Sequence, residues 1–257
     1  MDILQITQHI QSFQVSYKDI FVQTYILQTQ EGTVLFDAAA CAEDVDNYIL
    51  PALEQLGVSP THIFISHNHR DHSGGLARAV QLFPSARIIA RSPAIQETYP
   101  NAYIPEDGEV ILDCLQVVTI PGHTSDSAAL LDLRTHTLVT GDCLQSFGIY
   151  GSGEWYGAIS MPAEHAIAIQ KLRALPIDNI ATGHDYHPDG LFSFGKEHVA
   201  QRLNNCIDAL RRLQNAMAAH PQMNDEQIAQ LCNDGTFPTV SHRIVAAVRR
   251  ATLEGTF

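Results

Sequence analysis

Positive charge is scarce in this chain: 15 Lys and Arg stand against 28 Asp and Glu in 257 residues, a formal net charge of −13. A field of that sign repels phosphate backbones and anionic lipid, and no local run of basic residues offsets it. Neither a nucleic-acid nor a membrane-surface partner is expected. Cysteine is sparse too. Cys41, Cys114, Cys143, Cys206 and Cys232 are scattered, odd in number and without a Cys-x-x-Cys pair, which excludes a dithiol redox motif and suits a reducing compartment. No uncharged apolar run is long enough to span a bilayer, and Met1-Asp2-Ile3-Leu4-Gln5 has neither the basic nor the apolar region of a secretory leader. The expected location is cytoplasmic. With 45% apolar and 17% charged residues, the chain has the balance of an ordered globular protein.

What the sequence does have is two blocks of strands, each followed by helices. Phe13 to Tyr17, Phe21 to Gln28 and Thr33 to Phe36 read as an antiparallel meander, rich in β-branched and aromatic residues and broken by turn residues. Ala42 to Leu56 repeats apolar residues at helical spacing and closes on Gly57. His62 to Ile65 is a short buried strand, Leu76 to Phe83 a helix with Ser73 as its N-cap, and Arg87 to Ala90 another strand. The second block runs through Val110 to Leu112, Leu115 to Ile120, Ala128 to Leu133 and Leu138 to Thr140. A glycine-rich run, Gly148 to Gly157, follows. Its Tyr150, Trp155 and Tyr156 suit either an apolar substrate pocket or a homodimer contact. Ala163 to Leu175 reads as a helix and Asn179 to Thr182 as a strand. From about Lys196 the pattern is helical, with Asn224 as one N-cap. The expected division is residues 1–195 as a catalytic α/β domain and 196–257 as a helical extension. Arg202, Arg211, Arg212, Arg249 and Arg250 of that extension suit a substrate carboxylate but read by default as a solvated helical face.

Chemistry concentrates at His67-Asn68-His69-Arg70-Asp71-His72, where three imidazoles and a carboxylate fall within six residues, just past a buried strand and before Gly74-Gly75. Imidazole nitrogen and carboxylate oxygen are the ligands a zinc-type cation takes. If His67 and His69 are extended, they point the same way and reach one metal, while Asp71 and His72 lie where the loop turns into a helix and face a second. Three later stretches each put a donor beside glycine after an apolar strand: Pro121-Gly122-His123, Gly141-Asp142 and Gly183-His184. Asp37, at the end of its strand, is placed to orient a ligand histidine. Cys143 reads as a buried thiol, His187 as a loop residue before Pro188-Asp189-Gly190, and His9, His62, His136, His165, His198, His220 and His242 as surface or capping residues.

These residues, His-x-His-x-Asp-His followed in order by His, Asp and His, resemble the metallo-β-lactamase superfamily over about residues 20 to 190. The resemblance implies that His67, His69 and His123 hold one metal, that Asp71, His72 and His184 hold the other, and that Asp142 bridges them. It implies a four-layer αβ/βα sandwich, two divalent ions, most readily Zn2+ with Fe or Mn as alternatives, and hydrolysis of a small molecule by metal-bound hydroxide. Two cations sharing a water bring its pKa down from that of bulk water towards about 7. Asp71 then doubles as a catalytic residue that orients the nucleophile or moves its proton. The expected substrate carries an ester-like bond: a thioester, a lactone or a β-lactam. The alternatives are a mononuclear iron sulfur dioxygenase and a small-substrate phosphodiesterase.

Overall fold

A computed structural model describes residues 2–146, 159–233 and 240–257. Tyr150, Trp155 and Tyr156 lie outside the described residues. The chain divides into two compact units, Met1–Thr119 with Ala128–Thr135, and Ile120–Ser127 with His136–Phe257. Its strands belong to two mixed sheets, and helices flank them, as expected of an α/β chain.

The first unit opens with an antiparallel meander of β1 (Leu4–Thr7), β2 (Ile10–Tyr17), β3 (Ile20–Gln28) and β4 (Thr33–Phe36). Next to β4 run β5 (His62–Ile65) and β6 (Arg87–Ala90), both parallel. A parallel neighbour needs a crossover. Here it is a helical stretch of α1 (Ala42–Asp44), a π-helical turn Val45–Ile49 and α2 (Leu50–Leu56), closed by Gly57 at φ 66°. Val45, Ile49 and Leu53 from this stretch bury against Phe13, Val22, Leu35 and Ile63 of the sheet. α5 (Pro93–Thr98), which the apolar pattern does not reveal, is capped by Ser92. The unit also holds the antiparallel set β7 (Val110–Ile111), β8 (Leu115–Thr119) and β9 (Ala128–Asp132).

One expectation fails instructively. Ser73 does not cap the following helix but ends a separate turn, α3 (Arg70–Ser73), before α4 (Leu76–Leu82), whose N-cap is Gly75. The glycine pair explains the break. A Cβ on Gly74 would come within 2.1 Å of the Ala40 carbonyl oxygen, and one on Gly75 within 2.1 Å of that of Ala38. The pair thus lets α3 lie against the segment leaving β4, where Ala38 N–H donates to the His72 carbonyl at 2.7 Å.

In the second unit β10 (Thr137–Val139) runs parallel to β11 (Asn179–Tyr186), and β12 (Gly190–Phe194) is antiparallel to β11. β11 is longer than expected, so His184 lies inside it, where the pairing register shifts between Ala181 and Tyr186. The helices are α6 (Pro162–Arg173), α7 (Lys196–Ala219), α8 (Asp225–Cys232) and α9 (His242–Leu253). Asn224 caps α8 as expected, in a reciprocal box with Gln227. Leu210, Leu213 and Met217 of α7 form a core with Ile228, Val245 and Val248.

Arg202 corrects the reading of the tail arginines as solvated. It is fully buried, and its guanidinium donates to Ser193 Oγ at 2.8 Å and to the carbonyls of Asp189 and Gly190 at 3.1 and 2.7 Å. It ties α7 to the β11–β12 turn. Among the described residues no helix is long and apolar enough to cross a membrane.

Candidate metal centre

In the first unit the donors gather around Asp37. Just past β4, with φ at 65°, it adopts the left-handed conformation that Asp tolerates better than most residues. Its N–H donates to the Phe64 carbonyl at 2.8 Å, holding it against the end of β5. The carboxylate accepts the Ser66 N–H at 2.7 Å and the Ser66 hydroxyl at 2.9 Å, and it lies 2.7 Å from His72 Nδ1. Complete burial pushes the Asp37 carboxyl upward in pKa, opposed by His72 and by the Ser66 hydrogen bonds.

That arrangement sets two tautomers. His72 donates Nδ1–H to Asp37. Ser66, whose hydroxyl donates to Asp37, has its oxygen lone pairs left to accept the Nδ1–H of His67 at 3.0 Å. Both rings then carry their lone pair on Nε2, the form a ligand histidine needs. His67 Nε2 lies 3.1 Å from His69 Nδ1, with the rings edge-on. Two nitrogens on a tetrahedral zinc at about 2.0–2.1 Å are roughly 3.3 Å apart, so this separation fits adjacent ligands of one ion. His69 is extended at the start of α3, and Asp71 and His72 follow in its turn, as the spacing predicts. Asp71 Oδ2 lies 3.8 Å from His72 Nε2. His67 and His72 are buried, Asp71 half-buried and His69 exposed.

The second unit supplies His123, Asp142 and His184, all buried. One carboxylate oxygen, Asp142 Oδ2, stands 3.7 Å from His123 Nε2 and 3.6 Å from His184 Nε2. Asp142 follows β10, whose exit is fixed to β11 by Thr140 N–H donating to the Ala181 carbonyl and Gly183 N–H to that of Gly141. His123 sits in a turn gripped by the start of α6. Ser160 Oγ donates to the His123 carbonyl at 2.6 Å, and the N–H groups of Ser160 and Met161 donate to that of Gly122 at 2.9 Å.

Two residues of this cluster escaped the sequence reading. Gln145 Nε2 donates to the Asp142 carbonyl at 2.6 Å and stands 3.0 Å from His123 Nδ1. Its only signal is lying three places after Asp142. His165, read as a surface or capping residue, is buried against Gly122, where an added Cβ would come within 2.6 Å of the His165 Cβ. Burial, then the charge of His123, drives its pKa down to about 4, so it is neutral. Cys143 is a buried thiol and His187 lies in the β11–β12 turn, both as expected.

Each unit therefore carries closely spaced nitrogen and oxygen donors of the kind that bind zinc-type divalent cations. The comparisons agree. The model of the metallo-beta-lactamase superfamily matches residues 17–184, a span that contains every one of these donors and excludes α7 to α9. The chain is 29% identical over 188 residues to the uncharacterized protein YobT of Bacillus subtilis, covering 62% of this chain and 79% of that one. It is 30% identical over 142 residues to a hydroxyacylglutathione hydrolase of Xanthomonas axonopodis pv. citri (54% of this chain, 52% of the relative). It is 25% identical over 170 residues to the atrochrysone carboxyl ACP thioesterase of Emericella nidulans (65% and 51%). The chain thus spans about half the length of the latter two. Among solved structures, a metallo-beta-lactamase family protein from Thermus thermophilus superposes with a TM-score of 0.67 at 18% identity, covering 98% of this chain and 95% of that one. That likeness shows the fold.

Proposed function

The chain belongs to the metallo-β-lactamase superfamily, and on that premise we propose that it is a dinuclear metal-dependent hydrolase of a small molecule with an ester-like bond. In this reading His67, His69 and His123 would hold one ion, Asp71, His72 and His184 would hold the other, and Asp142 would serve both. The observation that supports it most is the placement of Asp142 Oδ2 between two imidazole Nε2 atoms, 3.7 and 3.6 Å away. A carboxylate oxygen facing two histidines assigned to different ions is what a bridging ligand requires. The tautomers set by Asp37 and Ser66 support the same assignment from the first unit.

Divalent ions, zinc being the best match to this nitrogen and oxygen set, supply Lewis-acid polarisation of a carbonyl and acidified water. The chain's own residues do the rest. Asp37 orients His72 directly and His67 through Ser66. Asp71, half-buried beside the fully buried His72, turns Oδ2 towards His72 Nε2, which leaves its other carboxylate oxygen to orient the attacking water or move its proton. Gln145 holds the backbone of Asp142 by donating its amide N–H to that carbonyl. Relatives named hydroxyacylglutathione hydrolase and ACP thioesterase favour the thioester among the candidate bonds. The reading includes a cytoplasmic setting, from the cysteine pattern, and a separate role for residues 196–257 in shaping the substrate site.

The test is a panel of thioesters, lactones and β-lactams offered to the metal-loaded protein. Turnover of a thioester that is lost in Asp142→Ala is the expected result. No turnover of any member by a protein that has bound its metals would overturn the proposal.

A further inference from the structure

Two donors of the second unit, Asp142 and His184, come from stretches that run side by side. Just before the donors these stretches are joined by Gly183 N–H, which donates to the Gly141 carbonyl at 3.0 Å. Beyond them β11 leads into the β11–β12 turn, whereas residues 142–146 belong to no strand or helix. A backbone without a ladder takes its course from packing and from side-chain hydrogen bonds. Here Cys143 and Leu144 are buried, and Gln145 holds the Asp142 carbonyl.

A second tie lies past the donors. Asp189, half-buried in the turn beyond His184, accepts the hydroxyl of the buried Ser146 on Oδ2 at 2.8 Å. Its Oδ1 accepts the Asn205 side-chain amide at 2.7 Å, and its carbonyl accepts the Arg202 guanidinium at 3.1 Å. Arg202 and Asn205 stand on one face of α7, so the helix fixes this carboxylate where it meets Ser146. Hydrogen bonds to an ionised carboxylate are roughly twice as strong as neutral ones. The family match ends at residue 184 and covers neither Asp189 nor α7.

We propose that Asp189 is a positioning residue for the metal centre. Through Ser146 it sets the distance of Asp142 from His184, and through Asn205 and Arg202 it makes α7 the support of that pair. The inference rests on the dinuclear reading above and adds to it residues outside the donor set. Asp142 Oδ2 stands 3.6 Å from His184 Nε2, and two ligand atoms on one tetrahedral zinc at about 2.0–2.2 Å are roughly 3.4 Å apart. A drift of the Asp142 segment away from β11 therefore costs metal affinity before it costs the fold.

Two measurements test it together: Zn2+ affinity by competition with a chelator, and the visible absorption of the Co2+-loaded protein. Wild type is compared with Ser146→Ala, Asp189→Ala and Asp189→Asn. Ser146→Ala cuts the tie while Asp189 stays on α7, and it serves if Asp189→Ala fails to fold. Both alanine variants should bind Zn2+ about tenfold more weakly and show an altered Co2+ spectrum. Asp189→Asn accepts from Asn205 and donates to Ser146 Oγ, so its affinity and spectrum should stay close to wild type. A role in fold stability alone would lower the urea midpoint and leave affinity and spectrum unmoved. That result in folded Ser146→Ala would overturn the proposal and leave the dinuclear reading standing. Asp189→Asn as weak as Asp189→Ala would also refute it, since hydrogen bonds and not charge are held responsible. Wild type that binds neither Zn2+ nor Co2+ would remove the metal reading itself, and the proposal with it.

Discussion

His72 Nδ1 lies 2.7 Å from Asp37 Oδ2, with both side chains fully inaccessible to solvent. Through Ser66 the same carboxylate reaches His67, so one residue outside the donor set controls two members of it. Asp37→Asn keeps the size but replaces one acceptor oxygen with a donor, which leaves either His72 or Ser66 facing the wrong partner. Metal affinity, measured by competition with a chromogenic chelator, should fall about 10- to 100-fold. An unchanged affinity would remove Asp37 from its orienting role.

The glycines between α3 and α4 offer a test of packing rather than chemistry. Gly75→Ala forces a methyl to within 2.1 Å of the Ala38 carbonyl and should destabilise the protein by several kcal/mol. Gly57→Ala is the control. It meets nothing within 4 Å and costs only the left-handed backbone, about 1–2 kcal/mol. Urea midpoints compare the two, and equal losses would contradict the close approach.

Arg202 carries a larger prediction. Arg202→Ala removes the guanidinium that serves Ser193, Asp189 and Gly190 and leaves a buried cavity, at a cost of about 3 kcal/mol or more. Chemical denaturation should register it as an early transition. A loss under about 1 kcal/mol would mean that the β11–β12 turn does not depend on α7 in this way.

Cys206 is fully buried, and that burial pushes its thiol pKa up to about 12. The thiolate is the nucleophile, so Cys206 should stay unlabelled by a maleimide at neutral pH until the protein unfolds. Mass spectrometry of labelled peptides checks this, and rapid modification of Cys206 in the native protein would contradict its placement.

The sequence was most legible where one local rule dominates. β5 is found at His62–Ile65 and β6 at Arg87–Ala90, the expected limits, because buried parallel strands are short apolar runs bounded by polar residues. The asparagine cap of α8 is equally local. What could not be read depends on contacts distant in the chain. β12 alternates too weakly to announce itself and exists through pairing with β11. Ser73 has the chemistry of an N-cap, but the approach of Gly74 and Gly75 to Ala38 and Ala40 overrides it. Arg202 has the pattern of a solvated residue and is buried because the β11–β12 turn presents it with acceptors. In the candidate site the donors themselves were visible from type and spacing. Gln145 and His165 were not, since a lone glutamine or histidine near a ligand has no signature until the fold brings it there.

The proposed pair of divalent ions with Asp142 between them is decided by metal analysis of the purified protein. Inductively coupled plasma measurement on folded, metal-replete wild type should give close to two ions per chain, and Asp142→Ala should lose at least one of them together with hydrolysis. A wild-type value near zero, or an Asp142→Ala protein that keeps both ions and its activity, would contradict the account.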